Sequence, residues 1–315
     1  MPNKYININV NNPDYLEFTI EFRDTSLPNA IRRVIATGIP IYALDANSII
    51  VDEHDSIFSN ERVIHSLSMI PINNNDAKKL KNLTFSLDKE YKDEYAENSN
   101  LYDRKVIVYS NDIIASDGKK YFTSDVPITE FHESGDNIQK LRISSMNAKK
   151  STQKISGAGF QACLISYKII SRNPNGLIVQ MGVRPCDYRN GICYPLNPVS
   201  ALFSSILALQ NKLDTLESNL DDINIENDEN SGTSKCIINN EDDTLGHLLD
   251  SDILASPEFE KRFCGYKKVH PLKNIIEIIM THNDGKSVLR SSIKRLRKIL
   301  NDIENELNSE FKTKK

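Results

Sequence analysis

Two distant segments of the chain carry the same short pattern, in which an acidic or hydroxyl residue precedes an amphipathic helix. Thr25 or Ser26 can cap a helix over about residues 28–37. Asp243 or Thr244 can cap the second helix in the same way. Each helix is apolar along one face, so each needs another element to cover that face. The residues on the two apolar faces are Leu27, Ile31, Val34, Leu245, Leu248 and Leu249.

A second repeated feature lies after each of these segments, where a long helix with an apolar seam is predicted. Apolar residues recur at alternating spacings of three and four over about residues 198–216 and 287–308. Such a narrow seam needs a partner of matching length. We therefore expect the seam of each helix to pack against the other copy of the repeat. The seam residues are Val199, Leu202, Ile206, Leu209, Leu213 and Leu216 in the first helix, and Leu289, Ile293, Leu296, Leu300, Ile303 and Leu307 in the second.

The C-terminal segment carries the most specific motif of the chain. The residues of this motif are Glu241, Asp242, Thr244, Gly246, Gly265, Tyr266, His270 and Pro271. The motif resembles the signature of the small alpha-like subunit of archaeal and eukaryotic RNA polymerases. The N-terminal segment, with Asn29, Arg32 and Arg33 on its helix and His65 further along, resembles the larger alpha-like subunit.

The resemblance implies an α+β fold made of two alpha-like dimerisation units. Each unit is a sheet plus a long helix, and the two are packed as an intramolecular pseudo-heterodimer with a small domain inserted in the first. Residues 218–235 are acidic and poor in apolar side chains, which indicates a flexible linker. The implied division is a larger alpha-like domain at 1–72 and 156–217, an inserted domain at 73–155, the acidic linker at 218–235 and a smaller alpha-like domain at 236–315.

Three residues depart from the family pattern. Ser66 stands where the family has an arginine, His247 where it usually has an asparagine, and Asp243 where a histidine is typical. Fusion of both units in one chain resembles an arrangement among nucleocytoplasmic large DNA viruses. The expected location is intracellular, in the host cytoplasm and virion for a viral protein and in the nucleus for a cellular one.

The resemblance implies a non-catalytic assembly platform of a DNA-dependent RNA polymerase. Such a subunit docks the two large catalytic subunits, with small zinc-binding subunits as further partners. The residues expected to contact the large subunits are Asn29, Arg32, Arg33 and His65. A solvated helix face is the alternative for the two arginines, and a structural histidine in a turn is the alternative for His65 and His270.

The sequence indicates no cofactor and no metal. Residues 73–155 contain no cysteine, so the inserted domain is expected to fold without zinc. Cys186 and Cys193 lack a second pair and are weak indicators of a metal site. No apolar run approaches the roughly 20 residues that span a bilayer, and no secretory segment is apparent at the N-terminus.

Two other function classes stay open at this point. A standalone nucleic-acid-binding regulator needs a continuous basic surface, and the formal net charge of -4 argues against one, so little or no direct nucleic-acid contact is expected. Basic residues such as Lys294 and Arg297 are also ordinary outer positions of a packed helix. A small enzyme needs a catalytic motif, and no phosphate loop, nucleophile elbow or metal-binding histidine pair is present.

Overall fold

A computed structural model describes residues 4–75, 77–91, 105–123, 125–132, 138–173, 176–228 and 231–312. The strands are β1 Ile6–Asn12, β2 Tyr15–Phe22, β3 Ile41–Leu44, β4 Ile50–His54, β5 Thr84–Tyr91, β6 Lys105–Tyr109, β7 Ile113–Ala115, β8 Pro127–His132, β9 Gln139–Ser151, β10 Cys163–Asn173, β11 Gly176–Pro185, β12 Asp187–Arg189, β13 Ile192–Tyr194, β14 Asn224–Asp228, β15 Thr233–Asn239, β16 Cys264–Lys268 and β17 Ile275–Met280. The helices are α1 Ser26–Arg33, α2 Asn60–Ser68, α3 Ala77–Leu80, α4 Gln153–Ser156, α5 Pro198–Ser218, α6 Asp243–Leu254 and α7 Gly285–Lys312.

The chain divides into two compact units, each made of segments that are distant in sequence. The first unit comprises Met1–Ile35, Ile165–Val183 and Leu202–Lys315. The second unit comprises Ala36–Leu164 and Arg184–Ala201. The second unit therefore interrupts the first along the chain.

The first unit contains two four-stranded sheets with the same topology. Their strand orders are β1-β2-β11-β10 and β14-β15-β17-β16. A short helix follows the second strand of each sheet, and a long helix follows the last strand. The same order of six elements therefore occurs twice. We call β1, β2, α1, β10, β11 and α5 the N-terminal half, and β14, β15, α6, β16, β17 and α7 the C-terminal half.

The second strand of each half buries alternate residues, because side chains along a strand point to opposite faces of the sheet. This pattern places every other side chain of β2 and β15 in the core and the intervening ones towards solvent. The buried residues are Leu16, Phe18, Ile20 and Phe22 in β2, and Ser234, Cys236 and Ile238 in β15.

Thr25 is the N-cap residue of α1, as predicted, whereas the N-cap residue of α6 is Asp242 rather than Asp243 or Thr244. Asp24 Oδ1 accepts a hydrogen bond from the backbone N–H of Ser26 at 2.7 Å, whereas Thr25 makes no side-chain capping bond. Asp242 Oδ1 accepts from the backbone N–H of Thr244 at 2.9 Å. A carboxylate satisfies a free N–H at the helix start and also complements the helix dipole, so an aspartate caps both helices.

The first of these helices is also longer at its start than predicted. It begins at Ser26 rather than at Pro28. After Arg33 it continues as a π-helical turn, Val34–Gly38, so the helical segment ends at the predicted glycine. The glycine is followed after one residue by Pro40, which cannot donate a backbone hydrogen bond.

Long helices are present at both of the predicted seam segments. α5 has 21 residues and α7 has 28, so both extend beyond the predicted ranges. A helix of 21 residues spans about 30 Å, which gives each seam several turns of contact surface. Val199 is only partly buried. The other predicted seam residues are buried: Leu202, Ile206, Leu209, Leu213, Leu216, Leu289, Ile293, Leu296, Leu300, Ile303 and Leu307.

The second unit is built around a five-stranded sheet in the order β3-β9-β5-β7, with β4 also pairing with β9. β9 is 13 residues long, so one part of it pairs with β3 and another part with β4. This pairing ties residues 41–54 to the segment predicted as the inserted domain. The compact unit therefore begins at Ala36, and its extent differs from the predicted range 73–155. Its core includes Phe85 and Phe131.

The predicted acidic linker at 218–235 also differs from what the structure contains. Residues Asn224–Asp228 form β14, which pairs antiparallel with β15 from Asn224 opposite Ile237 to Asp228 opposite Thr233. β14 is an edge strand whose side chains are mostly exposed. Such a strand shows no apolar alternation in its sequence, so composition alone indicates a linker.

Candidate functional site

The two short helices contact each other within the first unit. Near the end of α1, Arg33 Nε donates a hydrogen bond to Oγ1 of Thr244, at the start of α6, at 2.8 Å. Near the start of α1, Ser26 Oγ donates to Oγ of Ser251, in the last turn of α6, at 3.3 Å. The start of each helix therefore lies beside the end of the other, and the helices run antiparallel.

The two capping aspartates take part in the same contact. Ser251 Oγ donates to Asp24, the cap of α1. Arg33 Nη2 lies 3.9 Å from Oδ2 of Asp242, the cap of α6. Burial pushes the pKa of Asp24 up, but hydrogen bonds from Ser251 and Ser26 outweigh burial and hold that pKa below its ordinary value. Each cap thus contacts the opposite helix as well as its own.

Each contact between α1 and α6 has a counterpart in which the corresponding residues of the two helices are interchanged. Counted from the capping aspartates, Ser26 corresponds to Thr244 and Arg33 corresponds to Ser251. The contact of Arg33 with Thr244 then has its counterpart in the contact of Ser251 with Ser26. Likewise, Arg33 and Ser251 each contact the capping aspartate of the other helix. Reciprocal pairing of this kind is the property of a two-fold interface between like units.

A buried carboxylate joins three elements of the first unit. The Asp252 side chain is 2% exposed and accepts hydrogen bonds from Ser292 Oγ at 2.8 Å, Arg295 Nε at 3.0 Å and Arg23 Nη2 at 3.1 Å. A buried charge is tolerated only when it is paired and hydrogen-bonded, so this network fixes α6, α7 and the residue after β2 together. Asp252 was not predicted as a functional residue. Its signal in the sequence is a charged residue on the apolar face of the predicted helix, three positions after Leu249.

The two long helices are joined by polar contacts. Gln210 Nε2 donates to Glu304 Oε2 at 2.8 Å. Arg297 forms an ion pair with Asp214. Residue numbers rise along α5 as they fall along α7, so the helices are antiparallel. Polar contacts therefore link α5 to α7 within the first unit.

The C-terminal motif contains a glutamate whose side chain is mostly buried and a glycine that the packing of a tyrosine requires. Lys212 Nζ lies 2.6 Å from Oε2 of Glu241, which ties α5 to the start of the motif. Burial raises the pKa of Glu241, and Lys212 opposes that shift. A Cβ atom at Gly246 would lie 2.6 Å from Cδ2 of Tyr266, so only glycine allows the tyrosine ring to pack on α6.

The rest of the motif lies in and after β16. Gly265 is paired opposite Ile279 in the sheet. In the loop that follows, His270 Nδ1 accepts from the backbone N–H of Leu272 at 3.1 Å, and Lys268 Nζ donates to the carbonyl of Pro271 at 2.7 Å. These contacts give His270 a structural role in the turn.

The four residues predicted to contact large subunits lie on two helices, α1 and α2. Arg32 donates from Nε and Nη2 to Oδ1 of Asn29, at 3.0 and 2.9 Å. Its guanidinium lies over the ring of Tyr167, 5.6 Å from the centroid. Arg33 instead contacts α6, as described above. His65 lies on α2 in the second unit, with an exposed side chain.

The described residues contain no group of three or more His, Cys, Asp or Glu side chains arranged to hold a metal ion. Burial raises the pKa of Cys186 to about 11, so its thiol is held in the protonated form, which is a poor metal ligand. Within the described ranges, no helix has the length and apolar character needed to cross a membrane.

The sheet with the order β14-β15-β17-β16 and its two helices has a counterpart among known families. Residues 233–306 match the RNA polymerase Rpb3/Rpb11 dimerisation domain. The matched range includes β15, α6, β16, β17 and most of α7. The reciprocal contacts of α6 with α1 therefore involve the segment that carries this domain.

Two archaeal proteins are similar to part of the chain. The RNA polymerase subunit Rpo3 of Thermococcus kodakarensis is 32% identical over 123 residues, which is 38% of this chain and 44% of that protein. Rpo3 of Pyrococcus horikoshii is 32% identical over 119 residues, which is 37% of this chain and 43% of that protein. The chain thus spans less than half the length of either relative. Together, the domain match and these relatives support an RNA polymerase alpha-like subunit.

Proposed function

We propose that this chain is a non-catalytic assembly subunit of a DNA-dependent RNA polymerase, in which two alpha-like units pair within one polypeptide. The observation that carries the proposal is the reciprocal contact of α1 with α6. Corresponding residues exchange partners across it, as they do in a dimer of like subunits. The antiparallel contact of α5 with α7 extends the same pairing.

In this proposal the N-terminal half is the larger alpha-like unit and the C-terminal half is the smaller one. The Rpb3/Rpb11 dimerisation match at 233–306 supports the role of the C-terminal half. The matching strand orders of the two sheets support a second unit of the same kind in the N-terminal half. The second compact unit is then the insertion within the larger alpha-like unit.

The partners of the proposed platform are the two large catalytic subunits, together with small zinc-binding subunits. Asn29 and Arg32 are the best-placed contacts, because their side chains are partly exposed and hold each other in one geometry. Arg33 already donates a hydrogen bond to Thr244 of α6, and His65 is exposed on α2. We propose an intracellular location. The fused arrangement resembles that of large DNA viruses, so the proposed location is the host cytoplasm and virion for a viral protein and the nucleus for a cellular one.

A co-purification experiment tests the platform function. A tagged chain is produced together with the two large subunits and the small zinc-binding subunits of its own polymerase. The expected result is recovery of both large subunits with the tagged chain in salt that disrupts weak ionic contacts. Recovery of neither large subunit would contradict the proposal.

A second measurement separates this function from the alternative of a nucleic-acid-binding regulator. The isolated chain is titrated with duplex DNA at several salt concentrations. The proposal predicts little binding, because the chain has a formal net charge of -4. Tight binding that weakens steeply with added salt would favour the regulator instead.

A further inference from the structure

The five-stranded sheet of the second unit has one end that is rich in lysine. β5 begins at Thr84, which lies opposite Asn147 of β9. The backbone N–H of Ser116, directly after β7, donates to the carbonyl of Thr84 at 2.9 Å. Because β5 is antiparallel to both neighbours, its start lies beside the end of β7 and the later part of β9. We call the lysines at this place the lysine end: Lys78, Lys81, Lys119, Lys120, Lys149 and Lys150.

Two asparagines connect the segments that carry these lysines. Lys150 lies opposite Tyr42 in the pairing of β9 with β3. Asn74 Nδ2 donates to the carbonyl of Tyr42 at 3.0 Å. The backbone N–H of Asn73 donates at 2.7 Å to the carbonyl of Tyr121, the residue that follows the two adjacent lysines after β7. These hydrogen bonds hold the lysine-bearing segments in one place on the second unit.

The lysine end differs from the opposite end of the same sheet in how its charges are paired. All six lysines are exposed, and none forms an ion pair with a residue that the structure describes. At the opposite end, basic strand residues are paired with acids. Nζ of Lys89 lies 2.7 Å from Oδ1 of Asp112, and Nζ of Lys140 lies 3.3 Å from Oε1 of Glu90. The positive charge of the lysine end is therefore available to a partner.

Two acids near the lysine end accept hydrogen bonds from their own loops. Asp117 Oδ1 accepts from the backbone N–H of Lys119 at 3.1 Å, and its Oδ2 accepts from the hydroxyl of Tyr121 at 2.7 Å. Asp45 Oδ1 accepts from the backbone N–H of Asn47 at 3.3 Å. Neighbouring strands lie about 5 Å apart, which is less than the Debye length of about 8 Å at physiological ionic strength. The lysine charges on neighbouring strand ends therefore act together on an approaching anion.

Two isoleucines beside the lysine end are exposed. Ile114 on β7 is 60% exposed, and Ile155 in α4, five residues after Lys150, is 79% exposed. Exposed apolar side chains surrounded by polar ones are found at sites of protein interaction. A phosphate backbone has no apolar group to place on them, so the isoleucines favour a protein partner over a nucleic acid. The formal net charge of -4 on the whole chain also opposes the attraction of a long polyanion.

We propose that the lysine end binds an acidic segment of another protein, in which Asp or Glu residues alternate with apolar side chains. The carboxylates pair with the lysines, and the apolar side chains cover Ile114 and Ile155. Charge complementarity is the argument for this occupant, since it speeds association and excludes basic partners. Lysines act as point charges without a fixed fork, so they select the segment by its composition more than by an exact sequence. Binding does not depend on the proposed assembly function, because it uses the second unit alone.

Fluorescence anisotropy of the full-length chain tests the proposal. The probe is a labelled peptide in which Glu alternates with Leu, and two comparison peptides have Gln in place of Glu or Ser in place of Leu. We expect the Glu–Leu peptide to bind and the Gln–Leu peptide to bind about tenfold more weakly or not at all. The Glu–Ser peptide should have an intermediate affinity, because it keeps the charges and loses the apolar contacts. Added salt should weaken binding of both acidic peptides.

Variants of the full-length chain locate the binding. Lys149→Glu combined with Lys150→Glu should weaken binding of the Glu–Leu peptide about tenfold or more, because it places like charges together. Ile155→Ser should weaken it about threefold, through the loss of apolar contact. The matched control is Lys294→Glu combined with Lys298→Glu on the exposed side of α7, which changes the net charge equally and should leave binding unchanged. Thermal melts of every variant identify any loss of binding that is due to unfolding.

Failure of the unmodified chain to bind the Glu–Leu peptide would overturn the proposal, as would normal binding by the folded Lys149→Glu, Lys150→Glu chain. Duplex DNA is titrated in parallel. Tighter binding of DNA than of the peptide, lost in the same double variant, would assign the lysine end to nucleic acid instead. Recovery of the large polymerase subunits is a separate measurement, so failure of the proposed assembly function would leave the peptide result unaffected.

Discussion

The two halves of the first unit share one topology but reach it along different paths. In the C-terminal half, α6 is joined to β16 by a short segment that contains a 3₁₀ turn. In the N-terminal half, the second compact unit follows α1 before the chain returns to β10. The fold of a half therefore tolerates a large insertion at this point. Its elements are held by pairing and packing rather than by short connections.

The comparison also shows which residues must stay similar. The capping aspartates and the small hydroxyl residues at the helix starts occupy corresponding positions, because each contacts the opposite helix. A third pair of corresponding positions differs in charge, with Arg32 in α1 and Asp250 in α6. We infer that the internal contact restricts one side of each helix.

The largest effect should come from placing a charge in the seam of the long helices. Leu300 is fully buried on α7. Leu300→Asp should lower the free energy of unfolding by about 5 kcal/mol or more, since it removes apolar packing and buries an unpaired carboxylate. Lys298→Asp on the exposed side of the same helix is the control. A denaturant titration measures both, and equal small effects would show that the seam does not hold the halves together.

Loss of the buried carboxylate should have the next largest effect. Asp252→Ala leaves Arg23 and Arg295 without their shared acceptor. Because both arginines are partly exposed, we expect a loss of about 3 kcal/mol, at the lower end of the range for a broken buried ion pair. Ser292→Ala, which removes one neutral donor, should cost about 1 kcal/mol. A neutral or stabilising Asp252→Ala would mean that the network is unimportant for joining the halves.

The adjacent arginines of α1 should differ in their effect on stability. Arg33→Glu removes the hydrogen bond to Thr244 and places an acid beside Asp242, so a loss of about 1.5 kcal/mol is expected. Arg32→Glu changes an outward side chain and should cost about 0.5 kcal/mol. Thermal and chemical melts of the two single variants measure this difference. Indistinguishable stabilities would contradict the division between internal and outward sides.

The smallest loss of stability is expected from substitution of the two capping aspartates. Asp24→Ala and Asp242→Ala should each lower stability by about 1 kcal/mol, the usual cost of losing a helix cap. Thr25→Ala should change little, because Thr25 makes no side-chain capping bond. Denaturant titrations measure the loss for each variant, and unequal losses would show that the two caps contribute differently to the free energy of unfolding.

The sequence predicted the repeated helices and seams because apolar periodicity is a local signal. Burial of Leu202 and Leu300 follows directly from that periodicity. The edge strand β14 could not be predicted in the same way, because its polar residues gain main-chain pairing without burial. The role of Asp252 depends on Arg23 and Arg295, which are distant in sequence, so only the folded chain brings the network together.

Pairing of the two halves within one chain is the central claim of the account. A protease site placed between Asp221 and Asp222, in the turn between α5 and β14, allows the folded protein to be nicked. The account predicts that the two fragments elute together from gel filtration as a 1:1 complex under native conditions and separate only in denaturant. Elution of the fragments as separate species under native conditions would contradict it.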